Sequence, residues 1–120
     1  MKTILAFLLC LVAAAITSAA TPMDEIEGLL AYIKGLDQAT FIRNGTAYSP
    51  VQAEAHLRMK WNNAKGHVKT AEDFIELCAS KSSISGKSYL IRFADGRTVE
   101  AGVALKEQLE YLRKPNPSSS

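Results

Sequence analysis

Apolar residues recur at helical spacing in four segments of the chain, which predicts four helices. They are expected over about residues 24–36, 50–65 and 103–113, with the third of the four beginning at residue 70. Asp24 is a candidate cap for the first helix, and Ser49 with Gln52 forms a capping box at the second. The residues expected to face the core are Ile26, Leu29, Leu30, Ile33, Ala53, Leu57, Trp61, Ala64, Ala71, Phe74, Ile75, Cys78, Leu105, Leu109 and Leu112.

Two further segments alternate in polarity around turn residues and are typical of β-hairpins. The Asn44-Gly45 pair is the strongest of these signals, because a type I′ turn needs a positive φ at both positions. The predicted strands cover residues 40–43, 46–48, 89–93 and 98–101. The order is therefore helix, hairpin, helix, helix, hairpin, helix. If the hairpins join in one small antiparallel sheet, the fold class is α+β.

The first 20 residues have the pattern of a secretory signal peptide. Lys2 precedes an uncharged apolar run over residues 4–16, and Ser18 and Ala20 occupy the −3 and −1 positions of a cleavage site. An uncleaved membrane anchor is the alternative, but the run is shorter than the span of about 20 residues that a bilayer needs. We therefore predict a periplasmic or secreted protein, with one α+β domain over residues 21–114 and a flexible tail over 115–120.

The composition of the expected mature chain narrows the function classes. Removal of 20 residues from 120 leaves 100, with 13 basic and 12 acidic side chains. This near balance argues against nucleic acid and against an anionic membrane surface as partners. Cys78 is the single cysteine that remains, so no intramolecular disulfide is expected, and its position on an apolar stripe indicates an inert thiol.

Several motifs suggest catalysis, a metal or a cofactor but do not meet the requirements. His56 and His67 lack further ligands at the short spacing of a zinc site. Gly86-Lys87-Ser88 resembles the end of a phosphate loop, but Lys81 stands where the pattern needs a glycine, and a strand follows instead of a helix. We therefore predict no catalytic residue, no metal and no cofactor. Asn44-Gly45-Thr46 also matches a glycosylation acceptor, which the turn explains.

Three positive or ionisable side chains deserve a binding hypothesis. His56 and Lys60 are one helical turn apart beside the inner face of the second helix, where they could receive a carboxylate or another anion. A hydrogen-bonded structural histidine is the alternative. Arg43 shares a strand face with Phe41, so it lies either on a wet face or in a partly buried position, anchored to a carboxylate such as Glu72 or Asp73.

The motifs TFIRNG, AxAHLRxKW, TAEDFI and SxSSxSGKxYxIRxxDG occur in this order over about residues 26–113. Together they resemble an uncharacterised family of small exported bacterial proteins, the domain of unknown function number 5329. The resemblance implies a Gram-negative periplasmic or secreted protein and implies no activity, substrate or cofactor. Relatives carry cysteines at the positions of Ala39 and Phe93. If those cysteines pair, the resemblance implies that the two hairpins lie side by side.

The first functional hypothesis is a non-enzymatic binding module, or an inhibitor or immunity-type protein, for a protein or cell-envelope ligand. It would use the first hairpin, the start of the second helix and the serine-rich loop over residues 80–88, whose alternative is a plain solvated connection. The candidate binding residues are Arg43, Asn44, His56, Lys60, Glu72, Ser82, Ser83, Ser85 and Lys87. The alternatives are a small hydrolase or transferase using His56 with Glu72 or a loop serine, and a structural envelope protein whose polar groups satisfy one another.

Overall fold

The computed structural model describes residues 20–64 and 66–115. Residues 1–19, which carry most of the predicted signal peptide, and residues 116–120 of the predicted tail lie outside the described residues. The described elements are α1 (Pro22–Lys34), β1 (Thr40–Arg43), β2 (Thr46–Tyr48), α2 (Pro50–Ala64), α3 (Ala71–Phe74) with a π-helical continuation (Ile75–Ala79), β3 (Leu90–Arg92), β4 (Thr98–Glu100) and α4 (Ala101–Arg113). Four helical segments with a small sheet confirm the α+β fold class.

The two hairpins join in one antiparallel sheet of strand order β2-β1-β3-β4. The central pairing sets Thr40 opposite Arg92 and Phe41 opposite Ile91. Continued by one position, this register brings Ala39 opposite Phe93, the arrangement that the family resemblance implies. The predicted Asn44-Gly45 turn is confirmed, with φ of 51° at Asn44 and 78° at Gly45.

Capping residues explain where α1 and α2 begin, and two of the predicted helix starts are corrected. α1 begins after Thr21, which exchanges hydrogen bonds with Asp24, so Asp24 is the third residue of a capping box and not the cap. α2 has the predicted reciprocal hydrogen bonds between Ser49 and Gln52. α4 begins at Ala101, two residues before the predicted start, because β4 runs directly into it.

The core lies between the helices and one face of the sheet. Its largest fully buried side chains are Ile26, Leu29, Leu30, Ile33, Phe74, Ile75, Cys78, Ile91 and Leu105. One predicted core residue is wrong: Leu112, in the last turn of α4, is 42% exposed. Ala64 at the end of α2 is only half-buried. Within the described part of the chain, no helix is long and apolar enough to cross a bilayer.

The third helix changes geometry after its first turn, which the periodicity of the sequence did not predict. From Ile75 the backbone forms a π-helical turn, and Ser80 Oγ donates a 2.7 Å hydrogen bond to the carbonyl of Ile75. Gly102 in the first turn of α4 lies directly against this serine, so that a Cβ at Gly102 would be 2.6 Å from Ser80 Oγ. This close approach fixes the start of α4 and therefore the position of Ala101, which lines the pocket described below.

Candidate functional site

Arg43 ends β1 on the sheet face that it shares with the buried Phe41, so its side chain extends between the sheet and α2. One terminal nitrogen donates to the hydroxyl of Tyr48 over 3.2 Å, and the other lies 3.2 Å from Nε2 of His56. The guanidinium carbon is 5.4 Å from the centre of the Tyr48 ring. The predicted carboxylate anchor at Glu72 or Asp73 is therefore wrong, because the partners of Arg43 are uncharged rings.

His56 and Lys60 approach Arg43 from α2, where the helical repeat places them on the same side. Lys60 Nζ donates to the hydroxyl of Tyr89 over 2.9 Å and to the carbonyl of Lys81 over 3.2 Å. The same hydroxyl lies 3.4 Å from His56 Nε2. We call Arg43, Tyr48, His56, Lys60 and Tyr89 the donor cluster, because every hydrogen bond within it begins at one of the two cations or at a hydroxyl.

The direction of these hydrogen bonds fixes the protonation state of His56. A guanidinium can only donate, so Nε2 facing Arg43 must accept. The ring is then neutral and carries its proton on Nδ1. Burial of the ring, followed by the charges of Arg43 and Lys60, lowers the pKa of His56 below its ordinary value of 6.5. The Tyr89 hydroxyl accepts from Lys60 and can donate to Nε2.

The hydrogen-bonding groups of the donor cluster that its described contacts leave unused are donors. The guanidinium of Arg43 and the ammonium of Lys60 have more N–H groups than their described contacts use, and the Tyr48 hydroxyl accepts from Arg43 with its own proton left to give. Among the described residues, the carboxylate ion pairs belong to other arginines: Arg58, Arg97 and Arg113. The donor cluster is therefore positive, and its hydrogen bonds to other described residues include no carboxylate.

An apolar pocket opens beside the donor cluster. Its volume is about 170 Å³, slightly more than the cavity of about 150 Å³ that holds a benzene molecule in a protein core. Its apolar lining comes from Phe41, Ile42, Ala53, Leu57, Leu90 and Ala101, and its polar lining from Arg43, Tyr48, Gln52, His56 and Tyr89. The site thus combines a compact apolar space with a positive wall. We call this space the apolar pocket.

Three of the predicted binding residues form a separate structural network. Asn44 at the tip of the first hairpin donates to Ser82 Oγ over 3.2 Å and accepts a short hydrogen bond from the hydroxyl of Ser85. Ser82 is 4% exposed, and its oxygen also accepts from the backbone N–H groups of Ile84 and Ser85. These contacts fasten the serine-rich loop to the hairpin, and they account for Asn44, Ser82 and Ser85 without a ligand.

The other predicted candidates lie apart from the donor cluster. Glu72 pairs with Arg113, which also binds Glu25, so it ties the starts of α1 and α3 to the end of α4. The side chains of Ser83 and Lys87 are exposed on the serine-rich loop. The hydrogen bonds of His56 among the described residues therefore reach neither Glu72 nor a loop serine, the two partners that the hydrolase alternative needs.

Two members of the site, Tyr48 and Tyr89, were not among the predicted binding residues. The strand register contains the signal that would have found them: Tyr48 lies opposite Phe41, and continuation of the β1–β3 register brings Tyr89 opposite Arg43. All four side chains therefore share one face.

The predicted inert state of Cys78 fits its surroundings, since burial raises the pKa of its thiol. The described residues contain no group of three or more potential metal ligands.

Comparison with known proteins places the chain in a family. The family of unknown function DUF5329 matches residues 20–113, most of the chain, and the chain therefore belongs to it. The chain is also similar to the uncharacterized protein YfeK of Salmonella typhimurium strain LT2, with 42% identity over 65 residues. That match covers 54% of this chain and 54% of the relative, so the chain spans about half the length of the curated protein it matches. No solved structure matches the chain significantly.

Proposed function

We propose that this protein is a non-enzymatic binding module of the bacterial periplasm or exterior, which holds an acidic group of a protein or cell-envelope ligand. The donor cluster would take the acidic group, and the apolar pocket would take the group next to it. An inhibitor or immunity-type role is the form of this proposal in which the ligand is a protein. Export rests on the signal-peptide pattern of the first 20 residues.

One observation carries the proposal: two cations, Arg43 and Lys60, flank the neutral ring of His56 beside a pocket, and their remaining hydrogen-bonding capacity is to donate. The positive charges of Arg43 and Lys60 both act on His56 and, together with burial of the ring, lower its pKa. A network that served stability alone would do better with a carboxylate among its members, as Arg58 and Arg113 have elsewhere in this fold. An acidic ligand would supply the missing negative charge.

The contacts of His56 favour binding over hydrolysis. A general base must reach the proton that it removes, either from a nucleophile of the protein or from a water molecule that it orients. Nε2, the accepting nitrogen of this ring, is directed at Arg43 and at the hydroxyl of Tyr89. Both groups satisfy the lone pair that a base would use. His56 therefore serves to orient Arg43 in the proposed function.

Site-specific photo-crosslinking in the periplasm tests the proposal. A photoreactive residue at Gln52, which lines the apolar pocket, should form an adduct with the ligand, whereas one at Met59, 52% exposed on the same helix and not among the pocket's lining residues, should not form that adduct. The Gln52 adduct should disappear when Arg43→Gln is added. Arg97→Gln is the matched control, because Arg97 also stacks on an aromatic ring, that of Phe93, at 4.7 Å.

Two results would contradict the proposal. The first is a folded, exported protein that forms no adduct from Gln52. The second is an adduct that persists unchanged in the Arg43→Gln variant, because the ligand would then be held without the cation that the proposal requires. Folding of every variant is checked by its circular dichroism spectrum and melting temperature, so that loss of an adduct is not confused with loss of structure.

A further inference from the structure

We infer that the acidic group is a carboxylate and that it is attached to a compact apolar group of about the size of a phenyl ring or a branched four-carbon side chain. This inference rests on the proposed function and names its ligand class. The carboxylate would meet Arg43, Lys60 and the Tyr48 hydroxyl, and the apolar group would fill the apolar pocket.

The arrangement of the donors favours a carboxylate over a phosphate. Phosphate sites commonly use backbone N–H groups at a helix N-terminus or in a glycine-rich loop. Here the donors are side chains, and His56 and Lys60 lie in the middle of α2 instead of at its start. Tyr48 and His56 hold the planar guanidinium of Arg43 at both terminal nitrogens, which orients it before any ligand arrives. An oriented guanidinium can bind a carboxylate through two parallel hydrogen bonds, as it can a phosphate, so the preference rests on the missing backbone donors.

The size of the apolar pocket limits what the carboxylate can carry. A volume of about 170 Å³ accommodates one aromatic ring or a short branched chain. Phe41, Leu57 and Ala101 belong to the lining of the pocket and offer no hydrogen bonds from their side chains. A sugar or a second charged group placed against these three apolar side chains would lose its water without a hydrogen bond in return.

Two sources can supply this chemistry: a free small acid, and the C-terminal carboxylate of a polypeptide that ends in an apolar residue. The probes therefore include both. Phenylacetate is the small acid, with acetate lacking the apolar group and phenylacetamide lacking the charge. Acetyl-Gly-Gly-Gly-Phe with a free C-terminus represents the polypeptide, and its C-terminal amide is the control. Inorganic phosphate is the competing anion.

Isothermal titration calorimetry measures the affinity of the mature protein for each probe. We expect phenylacetate to bind at least about tenfold more tightly than acetate or phenylacetamide. Arg43→Gln should weaken that binding about tenfold or more, because it removes the oriented fork. Arg97→Gln should change it less than about twofold, since that exposed arginine pairs with Asp95. Lys60→Gln provides a second test if Arg43→Gln does not fold. The ratio of the affinities for the peptide acid and for phenylacetate shows whether the ligand is a polypeptide C-terminus or a small acid. The inference is supported whichever of the two binds more tightly.

The inference is overturned if acetate or phenylacetamide binds as tightly as phenylacetate, because the apolar group or the charge would then be irrelevant. It is also overturned if phosphate binds more tightly, a result that leaves the proposed acidic ligand intact. If no probe binds the folded protein but the Gln52 adduct still depends on Arg43, the carboxylate ligand class is refuted and the proposed function stands. Failure of both experiments would remove the proposed function as well.

Discussion

The contact between Gly102 and Ser80 yields a prediction whose size follows from the structure. Gly102→Ala would place a Cβ 2.6 Å from Ser80 Oγ, a separation that side chains do not tolerate. The serine can move only by giving up its 2.7 Å hydrogen bond to the carbonyl of Ile75. The partly buried hydrogen bond is worth about 1 kcal/mol, and overpacking adds about 1–3 kcal/mol. Unfolding free energy should therefore fall by about 2–4 kcal/mol.

The double variant separates this collision from other effects of the alanine. Ser80→Ala alone loses the hydrogen bond and should cost about 1 kcal/mol. With the hydroxyl gone, the alanine at Gly102 meets the Cβ of Ser80 at 3.4 Å, which is ordinary contact. The double variant should therefore be more stable than Gly102→Ala by about 1–3 kcal/mol.

Urea unfolding of the four proteins, followed by circular dichroism, measures these free energies. A coupling energy of about 2–4 kcal/mol between the two substitutions is expected, and each 1 kcal/mol corresponds to roughly 4–8 °C in melting temperature for a domain of this size. Additive effects would refute the reasoning, because they would mean that the two residues do not touch. Unchanged stability in Gly102→Ala would refute it as well.

Three further predictions test the fold and the serine-rich loop. Arg113 lowers the pKa of Glu25 and of Glu72, so both carboxylates stabilise the fold above about pH 4.5 and lose that contribution as the pH falls through their folded pKa values. Arg113→Gln should therefore flatten the dependence of the unfolding free energy on pH in that acid range. An unchanged slope would contradict this prediction. The double variant Ala39→Cys with Phe93→Cys should form a disulfide on oxidation, since directly opposite strand residues have Cα atoms about 4.5–5.5 Å apart. Free thiols in mass spectra of the oxidised protein would contradict the continuation of the β1–β3 register to this pair. Ser82→Ala should lower the unfolding free energy, measured in urea, by about 1–3 kcal/mol, because the buried oxygen of Ser82 holds the loop. Ser83→Ala, at an exposed position, should lower it by less than about 0.5 kcal/mol. Equal losses in the two variants would contradict the network.

Local signals in the sequence were sufficient for most of the fold. The Asn44-Gly45 turn and the capping box at Ser49 require only neighbouring residues, and the structure has both. The cap of α1 was misassigned because Thr21 and Asp24 each bond to the backbone of the other, so that either could have been the first residue. The π-helical turn depends on Ser80 and on the approach of α4, which no local pattern contains.

The candidate site was predictable only in part, because its chemistry depends on pairings between distant segments. Helical spacing placed His56 beside Lys60, and strand alternation placed Arg43 on the face of Phe41. The partner of Arg43 could not be read from these patterns, since it depends on which face of α2 packs against the sheet. Glu72 is one of the polar residues of the family pattern, and the packing of α3 beside the end of α4 directs it to Arg113 instead.

The state of His56 is the most direct test of the central claim, that the donor cluster accepts an acidic group. Nitrogen-15 NMR of the imidazole reports both its tautomer and its pKa, and His67, in the exposed turn after α2, provides an internal reference signal. At neutral pH we expect His56 to be neutral with its proton on Nδ1 and to have a pKa below 6.5.

Saturating phenylacetate should raise the pKa of His56, because the bound carboxylate offsets the charges of Arg43 and Lys60 that lower it. By linkage, phenylacetate should bind more tightly as the pH falls toward that pKa. A pKa of His56 that stays at its starting value under saturating phenylacetate, with the His56 signals unmoved, would contradict the claim that this cluster is an anion site.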